Sequence, residues 1–308
     1  MYRHTRELQF TAKPQKPDAL FAAKFQELVG GQFGEMTVMM QYLFQGWNCR
    51  VPGKYKDMIM DIGTEEISHV EMLTVMQARL LEGAPGEVTA KAVATNPALA
   101  AVLGGQNPQH AIVSGGGARP TDSLGNPWNA GYIVASGNLL TDFRSNAAAE
   151  GQSRLMTSRI ANMTDDPGVK EMLAFNLARD TYHQQQWMYG IQMLVEEGYA
   201  EVEIEHSNAD LEDDDAAHVF YTATDGSQAG EGKWATGSSI VDGKPFRTEE
   251  LRPLTDDQGI LPAPDPLQYV TYDGNQGPAK PGNAAGARVQ GVENVVTKVK
   301  DALTGDNH

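Results

Sequence analysis

Two short motifs in this sequence place a histidine three positions after an acidic residue. The first is Glu66 and His69 in TEEISHVEML, and the second is Asp180 and His183 in ARDTYHQQQW. Residues three apart lie on the same side of an α-helix, so each acid and its histidine can reach one point in space. A carboxylate and an imidazole that meet in this way can bind a metal ion or move a proton.

Apolar residues at helical spacing predict that both motifs face a protein core. Those around Glu66 are Ile59, Ile62, Val70 and Leu73, and those around Asp180 are Leu173, Leu177 and Trp187. Burying a charge is costly unless the charge is paired or bound to a metal. We therefore expect something positive in the core beside these acids.

Two further acids lie on apolar stripes of their own. Glu35 lies between Leu28 and Met39, and Glu150 shares its helix face with Phe143 and Ala147. Like the motif acids, Glu35 and Glu150 are therefore predicted to point inward.

The four acids recur at nearly the same interval. Glu35 and Glu66 are 31 positions apart, and Glu150 and Asp180 are 30 positions apart, as in two copies of one helical hairpin. Taken singly, each residue has a bland explanation: acid-x-x-His is common on solvated helices, and a lone buried histidine is usually a hydrogen-bonded core residue. Six such residues on four inward stripes favour a dinuclear site, in which bridging carboxylates reduce the repulsion between two cations.

Helical periodicity covers four segments, at about 18–47, 53–82, 138–163 and 166–197. Asp18 and Asp166 are predicted N-caps, Pro167 suits a first helical turn, and Gly83 ends the second segment. The pattern predicts an all-α, four-helix bundle made of two hairpins. Residues 86–135 form the crossover between helices 2 and 3, with one short helix predicted from Asn96 to Gly104. Gly115 to Gly117 are predicted to form a loop.

Two domains are expected: the bundle with its N-terminal arm and crossover over residues 1–198, and an extended, mostly irregular C-terminal tail over 199–308. Within the tail, the sequence EDDD at 212–215 is predicted to be a solvated turn. The stretch 292–303 has helical apolar spacing, which predicts a partner surface for it.

Composition excludes several classes of function. A net charge of −16 argues against nucleic acid or an anionic membrane as a partner. No apolar run approaches the roughly 20 residues that span a bilayer, and the N-terminus lacks an apolar signal core. The single cysteine, Cys49, agrees with a cytoplasmic location. The histidines without partnered spacing receive no ligand role; they are His4, His110, His206, His218 and His308.

The sequence resembles the manganese catalases, the non-haem catalases, over nearly its whole length. The stretches that carry the resemblance are GEMTVMMQYLFQGW, IGTEEISHVEML, GGQNPQHAIV, DSLGNPWNAGYI, NMTDDPGVKEML, ARDTYHQQQW and HVFYTATDGSQAGEGKW. The resemblance implies a ferritin-like bundle with two manganese ions that disproportionates hydrogen peroxide to water and oxygen by two-electron redox cycling. It also implies a homohexamer whose tails wrap neighbouring subunits.

The resemblance also implies roles for individual residues. Glu35 and His69 would bind one manganese ion and His183 the other, with Glu66 and Glu150 bridging. Asp180 occupies the position of a glutamate that acts as an acid or base near the second ion. Some members also bind calcium at a subunit contact, through acids early in the second helix and a loop in the tail. Asp57 and Asp61 match the helical part, and Thr222, Thr224 and Gly226 would have to supply the loop.

Tyr42 lies two turns from Glu35 on the same stripe, where it can hydrogen-bond to a ligand or serve as an ordinary core residue.

Two departures from the family pattern bear on the acid-base role. Asp180 is one methylene shorter than glutamate, which favours proton transfer through a water over direct ligation. Ala149 stands where some members carry an arginine, so the cation that partners Asp180 is left open; Arg154 and Arg179 are nearby in sequence.

Two other functions remain compatible with the sequence. The same ligands can hold two irons for oxidase or ferroxidase chemistry, because metal selection depends on geometry and supply. Alternatively, the chain is a structural coat or assembly protein that retains the fold and a vestigial metal site, which the departures at Ala149 and Asp180 would explain.

Overall fold

The computed structural model describes residues 4–51, 53–83, 107–198, 216–224, 226, 228–240 and 242–250. The chain divides into two compact units, residues 1–214 and 215–308. Several sequence predictions lie outside the described residues: the helix at 96–104, the turn at 212–215, the periodic stretch at 292–303, His206 and His308.

The first unit is a ferritin-like helical bundle. Its helices are α1 (Ala19–Gly30), α2 (Glu35–Asn48), α3 (Lys54–Leu80), α4 (Pro108–Ile112), α5 (Leu139–Ala161) and α6 (Pro167–Glu196). α2 packs along α3 and α5 packs along α6, and the two hairpins meet through contacts of α2 with α5 and of α3 with α6. The predicted four-helix bundle is confirmed.

The predicted helix starts are confirmed by their capping hydrogen bonds. The Asp18 side chain accepts from the backbone N–H of Phe21, and Asn138 caps α5 by accepting from Thr141. The Asp166 side chain accepts from the first backbone N–H groups of α6, and Pro167 is the first residue of that helix. These caps satisfy backbone donors that the helix itself leaves unpaired.

The prediction of one continuous helix over 18–47 is wrong. α1 ends at Gly30 and α2 begins at Glu35. A Cβ at Gly30 would overlap the backbone of Thr121 in the crossover, and one at Gly31 would lie 2.5 Å from the Glu27 backbone oxygen. The glycines therefore end the helix and let the crossover pack against it, and the break places Glu35 in the first turn of α2.

Two apolar clusters lie along the bundle, with a polar layer between them. Along α3, Ile59 and Ile62 belong to one cluster and Met72 and Met76 to the other, and the buried Glu66 and His69 fall between them in the chain. The same order is repeated along α6, where Leu173 and Trp187 belong to opposite clusters. The polar layer is therefore enclosed by packed side chains.

A buried polar cluster holds the crossover on the bundle. The Gln26 amide donates to the backbone oxygens of Arg119 (2.6 Å) and Thr121 (2.8 Å), and its oxygen lies 2.8 Å from His110 Nε2. His110 therefore has a hydrogen-bond partner within this cluster. Gly115 and Gly116 have φ values of 63° and 94°, as expected for a glycine loop.

The second unit contains a small sheet that the irregular-tail prediction missed. Strand β1 (Val219–Thr222) pairs in parallel with β2 (Arg247–Glu250), and the short helix α7 (Lys233–Thr236) lies between them in sequence. His218 Nε2 lies 3.0 Å from Asp242, which is a local contact of this unit. In the part of the chain described, no helix is long and apolar enough to cross a membrane.

Candidate metal centre

The six residues predicted for the dinuclear site converge at one place in the bundle. They form three overlapping groups in which possible ligand atoms lie within 4.8 Å of one another: Glu66 with His69 and His183; Glu35 with His69 and Asp180; and Glu150 with Asp180 and His183. All six side chains are buried. Each of α2, α3, α5 and α6 contributes at least one of them.

Glu66 lies between the two histidines. Its Oε2 is 2.8 Å from His69 Nδ1, and its Oε1 is 2.7 Å from His183 Nδ1. Glu35 Oε2 lies 3.7 Å from His69 Nδ1, and Glu150 Oε1 lies 3.8 Å from His183 Nδ1. The Nδ1 atoms of both rings therefore face the carboxylates.

Several of these atoms lack a hydrogen-bond partner. Glu35 Oε2, Glu66 Oε1 and His183 Nδ1 are buried and form no hydrogen bond with any described residue. Although Glu66 Oε1 and His183 Nδ1 are close, their orientation does not satisfy hydrogen-bond geometry. Leaving such groups unpaired costs about 1–3 kcal/mol each. Carboxylate oxygens and imidazole nitrogens are also the donors that manganese accepts, so the side chains fit a metal.

The acids of the centre differ in pKa. Burial, together with repulsion from Glu66, raises the pKa of Glu35 to about 6 and that of Glu150 to about 8. Burial and the neighbouring carboxylates also raise the pKa of Asp180 well above its usual value. Near neutral pH some of these acids therefore retain their protons, and a bound metal would replace those protons.

The histidines favour their charged forms in this pocket. Burial acts to lower the pKa of His183, but Glu65 and Glu66 raise it to about 10. The pKa of His69 is likewise raised by Glu66 against the effect of burial. Burial alone would raise the pKa of Glu66, yet the two histidines hold it well below its ordinary value. The carboxylates thus favour positive charge on the two imidazoles, in line with the positive group expected in this core.

Tyr42 contacts the centre through a hydrogen bond. Its hydroxyl donates to Glu150 Oε1 over 2.6 Å, and its ring packs against Trp187 with 4.9 Å between centroids. Tyr42 is therefore both a hydrogen-bond donor to a candidate ligand and part of the apolar core.

Neutral donors hold Asp180. Ser153 Oγ donates to its Oδ2 (3.2 Å), and Asn176 Nδ2 donates to its Oδ1 (3.0 Å) and to Glu35 (2.8 Å). Neither arginine considered from the sequence is its hydrogen-bond partner, because Arg154 donates to Gln184 and Arg179 to Glu65.

Sequence reasoning missed Glu65. Its carboxylate receives two hydrogen bonds from Arg179, at 2.6 and 3.2 Å, and lies 3.0 Å from His183 Nε2 and 3.6 Å from His69 Nε2. The apolar stripe on α3 selected Glu66 and left its neighbour unassigned. The available signal was the four-residue spacing of Glu65 to His69 and of Arg179 to His183.

The residues considered for calcium lie in different units. Asp57 and Asp61 are exposed, one turn apart on α3, whereas Thr222, Thr224 and Gly226 lie at the end of β1 and just beyond it. The calcium site stays a prediction.

Comparisons with known proteins agree with this geometry. The family described as "Manganese containing catalase" matches residues 1–265. The chain is 49% identical to the manganese catalase of Bacillus subtilis (strain 168) over 277 residues, which are 90% of this chain and 100% of that protein. It is 52% identical to the uncharacterized protein YjqC of the same strain over 247 residues, 80% of this chain and 89% of that one.

The fold is also similar to that of a manganese catalase of known structure. The crystal structure of KatB, a manganese catalase from Anabaena, matches with a TM-score of 0.62 and 25% identity, covering 81% of this chain and 99% of that one. Family match, sequence identity and fold all agree with a buried carboxylate and histidine cluster shared among four helices. The chain therefore belongs to the family of manganese-containing catalases.

Proposed function

We propose that this chain disproportionates hydrogen peroxide to water and oxygen at two manganese ions bound by Glu35, Glu66, His69, Glu150 and His183. The observation that carries the proposal is the convergence of buried ligand atoms from four helices, of which Glu35 Oε2, Glu66 Oε1 and His183 Nδ1 have no hydrogen-bond partner among the described residues. Family membership supplies the identity of the metal and the substrate.

The distances support individual ligand roles. Glu66 has one oxygen near each histidine, which suits a carboxylate that bridges two ions. Glu35 lies on the His69 side of Glu66 and would complete the shell of that ion. Glu150 lies near His183, and the resemblance assigns it the second bridge.

A bound manganese pair supplies the two-electron redox chemistry, in which one peroxide accepts electrons and the next returns them. Asp180 is placed to carry the proton, because burial raises the pKa of its carboxyl well above the usual value and Ser153 and Asn176 hold its oxygens. The two apolar clusters exclude bulk water around this proton carrier, and their methionines contribute to the enclosing wall.

Metal content together with oxygen exchange tests the proposal. The full chain is purified, manganese and iron are quantified per subunit, and oxygen is followed after addition of peroxide, with and without azide and a chelator. We expect two manganese ions per subunit and oxygen release that is lost on metal removal and restored by manganese alone. Two irons with oxygen consumption, or a metal-free inert protein, would contradict it and favour an oxidase or a structural protein. Glu66→Gln serves as the ligand variant and should lose both manganese and oxygen release.

Three finer points are also proposed. A calcium ion at a subunit contact would bind Asp57 and Asp61, with Thr222, Thr224 and Gly226 supplied by the tail loop; the exposure of the two aspartates supports access to them. Loss of a calcium-induced rise in melting temperature in Asp61→Asn would support this site, and an unchanged rise would exclude it.

The bundle at 1–198 and the tail at 199–308 would act as separate parts, with the tail on neighbouring subunits of a hexamer. The single cysteine supports a cytoplasmic location.

A further inference from the structure

One carboxylate faces the outer nitrogens of both histidines. Glu65 Oε2 lies 3.0 Å from His183 Nε2, and Glu65 Oε1 lies 3.6 Å from His69 Nε2. The second distance is just beyond a hydrogen bond, and His69 Nε2 has no other hydrogen-bond partner among the residues described. The two rings lie nearly parallel, with 5.6 Å between their centroids, so a single carboxylate can address both.

Glu65 is itself held in place. Arg179 forms a bidentate contact with the Glu65 carboxylate, in which Nε donates to Oε1 and Nη2 donates to Oε2. Such a fork fixes both the position and the plane of a carboxylate. Gln9 Nε2 adds a third hydrogen bond, to Oε1, over 2.7 Å.

The N-terminal arm brings Gln9 to this position. The adjacent Phe10 ring stacks on Phe175 of α6, with 4.6 Å between centroids and 13° between planes. Arg79 of α3 also donates to the backbone oxygen of Ala12. The arm therefore packs on both helices that carry the histidines, and the Glu65 side chain retains only 21% of its exposure.

A carboxylate at one imidazole nitrogen favours the tautomer with the proton on that nitrogen. With N–H at Nε2, the lone pair lies at Nδ1, which is the atom of both rings that faces the acids of the centre. We propose that Glu65, held by Arg179 and Gln9, is the positioning residue that sets the tautomer and ring orientation of both His69 and His183 toward the metal pair. This inference rests on the proposed metal site.

A partly exposed ion pair that only ties α3 to α6 is the competing explanation. Such a pair would contribute little to stability and would leave the metal affinity unchanged. Metal affinity and the spectrum of the bound pair therefore separate the two explanations, whereas stability alone does not.

The test compares Glu65→Gln with Glu71→Gln, a matched change on the same helix that breaks, among the described residues, only the contact with His4. Glutamine offers one acceptor oxygen for two imidazole N–H groups, so one ring loses its partner. We expect at least one of the two manganese ions to bind about 10- to 100-fold more weakly, as measured by competition with a chelator. The electron paramagnetic resonance spectrum of the bound manganese should also change. Glu71→Gln should match the wild type in both measurements.

Arg179→Lys provides a second variant in case Glu65→Gln fails to fold. It retains the positive charge and removes the fork, so we expect an intermediate loss of affinity and a smaller spectral change. If both variants bind manganese like the wild type, with unchanged spectra, the positioning role is wrong while the proposed function stands. If the wild type and Glu71→Gln bind no manganese pair, the proposed function fails and the inference fails with it.

Discussion

At the scale of single residues, the buried acids of the metal centre differ because each has different neighbours. Glu66 contacts both histidines and has a lowered pKa, whereas Glu150 is close to Tyr42 and Glu66 and has a pKa raised to about 8. Low solvent access makes these contacts decisive, since burial alone would raise every carboxylate pKa. Protons on these acids would therefore have to leave when manganese binds.

These raised pKa values predict how the stability of the metal-free protein depends on pH. Glu35, Glu150 and His183 have folded-state pKa values near 6, 8 and 10, all above their ordinary values, so between pH 5 and 9 the folded chain binds more protons than the unfolded chain. Stability then falls as pH rises. We expect the urea midpoint of the metal-free protein to decrease over this range. The stabilisation by added manganese should grow, because binding releases protons.

The variant Glu150→Gln is the control for this pH dependence. It removes one of the titrating groups, so the decrease of the midpoint with pH should become shallower. A metal-free wild type whose stability rises between pH 5 and 9 would show that these pKa directions are wrong.

Replacing Tyr42 by phenylalanine should weaken manganese binding without unfolding the bundle. The ring retains its contact with Trp187, but Glu150 loses a hydrogen bond that lowers its pKa. We expect a stability loss of about 1–3 kcal/mol and a shift of half-saturation with manganese to higher pH. Tyr55→Phe is the matched control, since Tyr55 is buried in the same apolar cluster and its hydroxyl donates to Glu197 instead. Equal effects of both changes on manganese binding would contradict this role.

Residue patterns predicted the inner acids and histidines but not their outer partners. Glu66 and Asp180 were recognisable because each lies on an apolar stripe with a histidine one turn away. Glu65 is partly exposed, and its role depends on the contact with Arg179, which lies 114 positions later in the chain. Pairing over such a separation follows from the packing of α3 on α6, which local periodicity does not determine.

At the scale of elements, capping residues and glycines decide where the helices lie. The starts of α1, α5 and α6 were predictable because Asp18, Asn138 and Asp166 act within one turn. The break between α1 and α2 was not, because it depends on the crossover approaching Gly30 from 91 positions away, at Thr121. In the local sequence, such a distant backbone contact is indicated only by the cluster of glycines at the end of α1.

Gly30→Ala should therefore destabilise the bundle. The added methyl group would overlap the Thr121 backbone, which cannot rotate away as a side chain can. We expect a loss of about 1–3 kcal/mol in the free energy of unfolding, measured by urea titration. Gly117→Ala is the control in the same crossover: its nearest contact would be at 3.6 Å, so the change should stay within about 0.5 kcal/mol. Equal losses in the two variants would argue against the close approach as the cause of the break.

At the scale of the whole molecule, the described surface retains large apolar side chains. Trp47 and Tyr189 in the bundle and Trp234 in the second unit are each more than half exposed. Exposed aromatic residues are typical of surfaces that other chains cover. We expect the full chain to form a hexamer of the 33.4 kDa subunit, measured by light scattering after size-exclusion chromatography. A monomer at micromolar concentration would contradict the assembly that the resemblance implies.

The central claim is that side chains from four helices surround two manganese ions. Anomalous diffraction at the manganese absorption edge, from crystals of the manganese-loaded chain, tests it most directly. We expect two peaks about 3.5–4 Å apart, with Glu66 between them and one histidine Nδ1 beside each. A single peak, no peak, or peaks away from these residues would contradict the account.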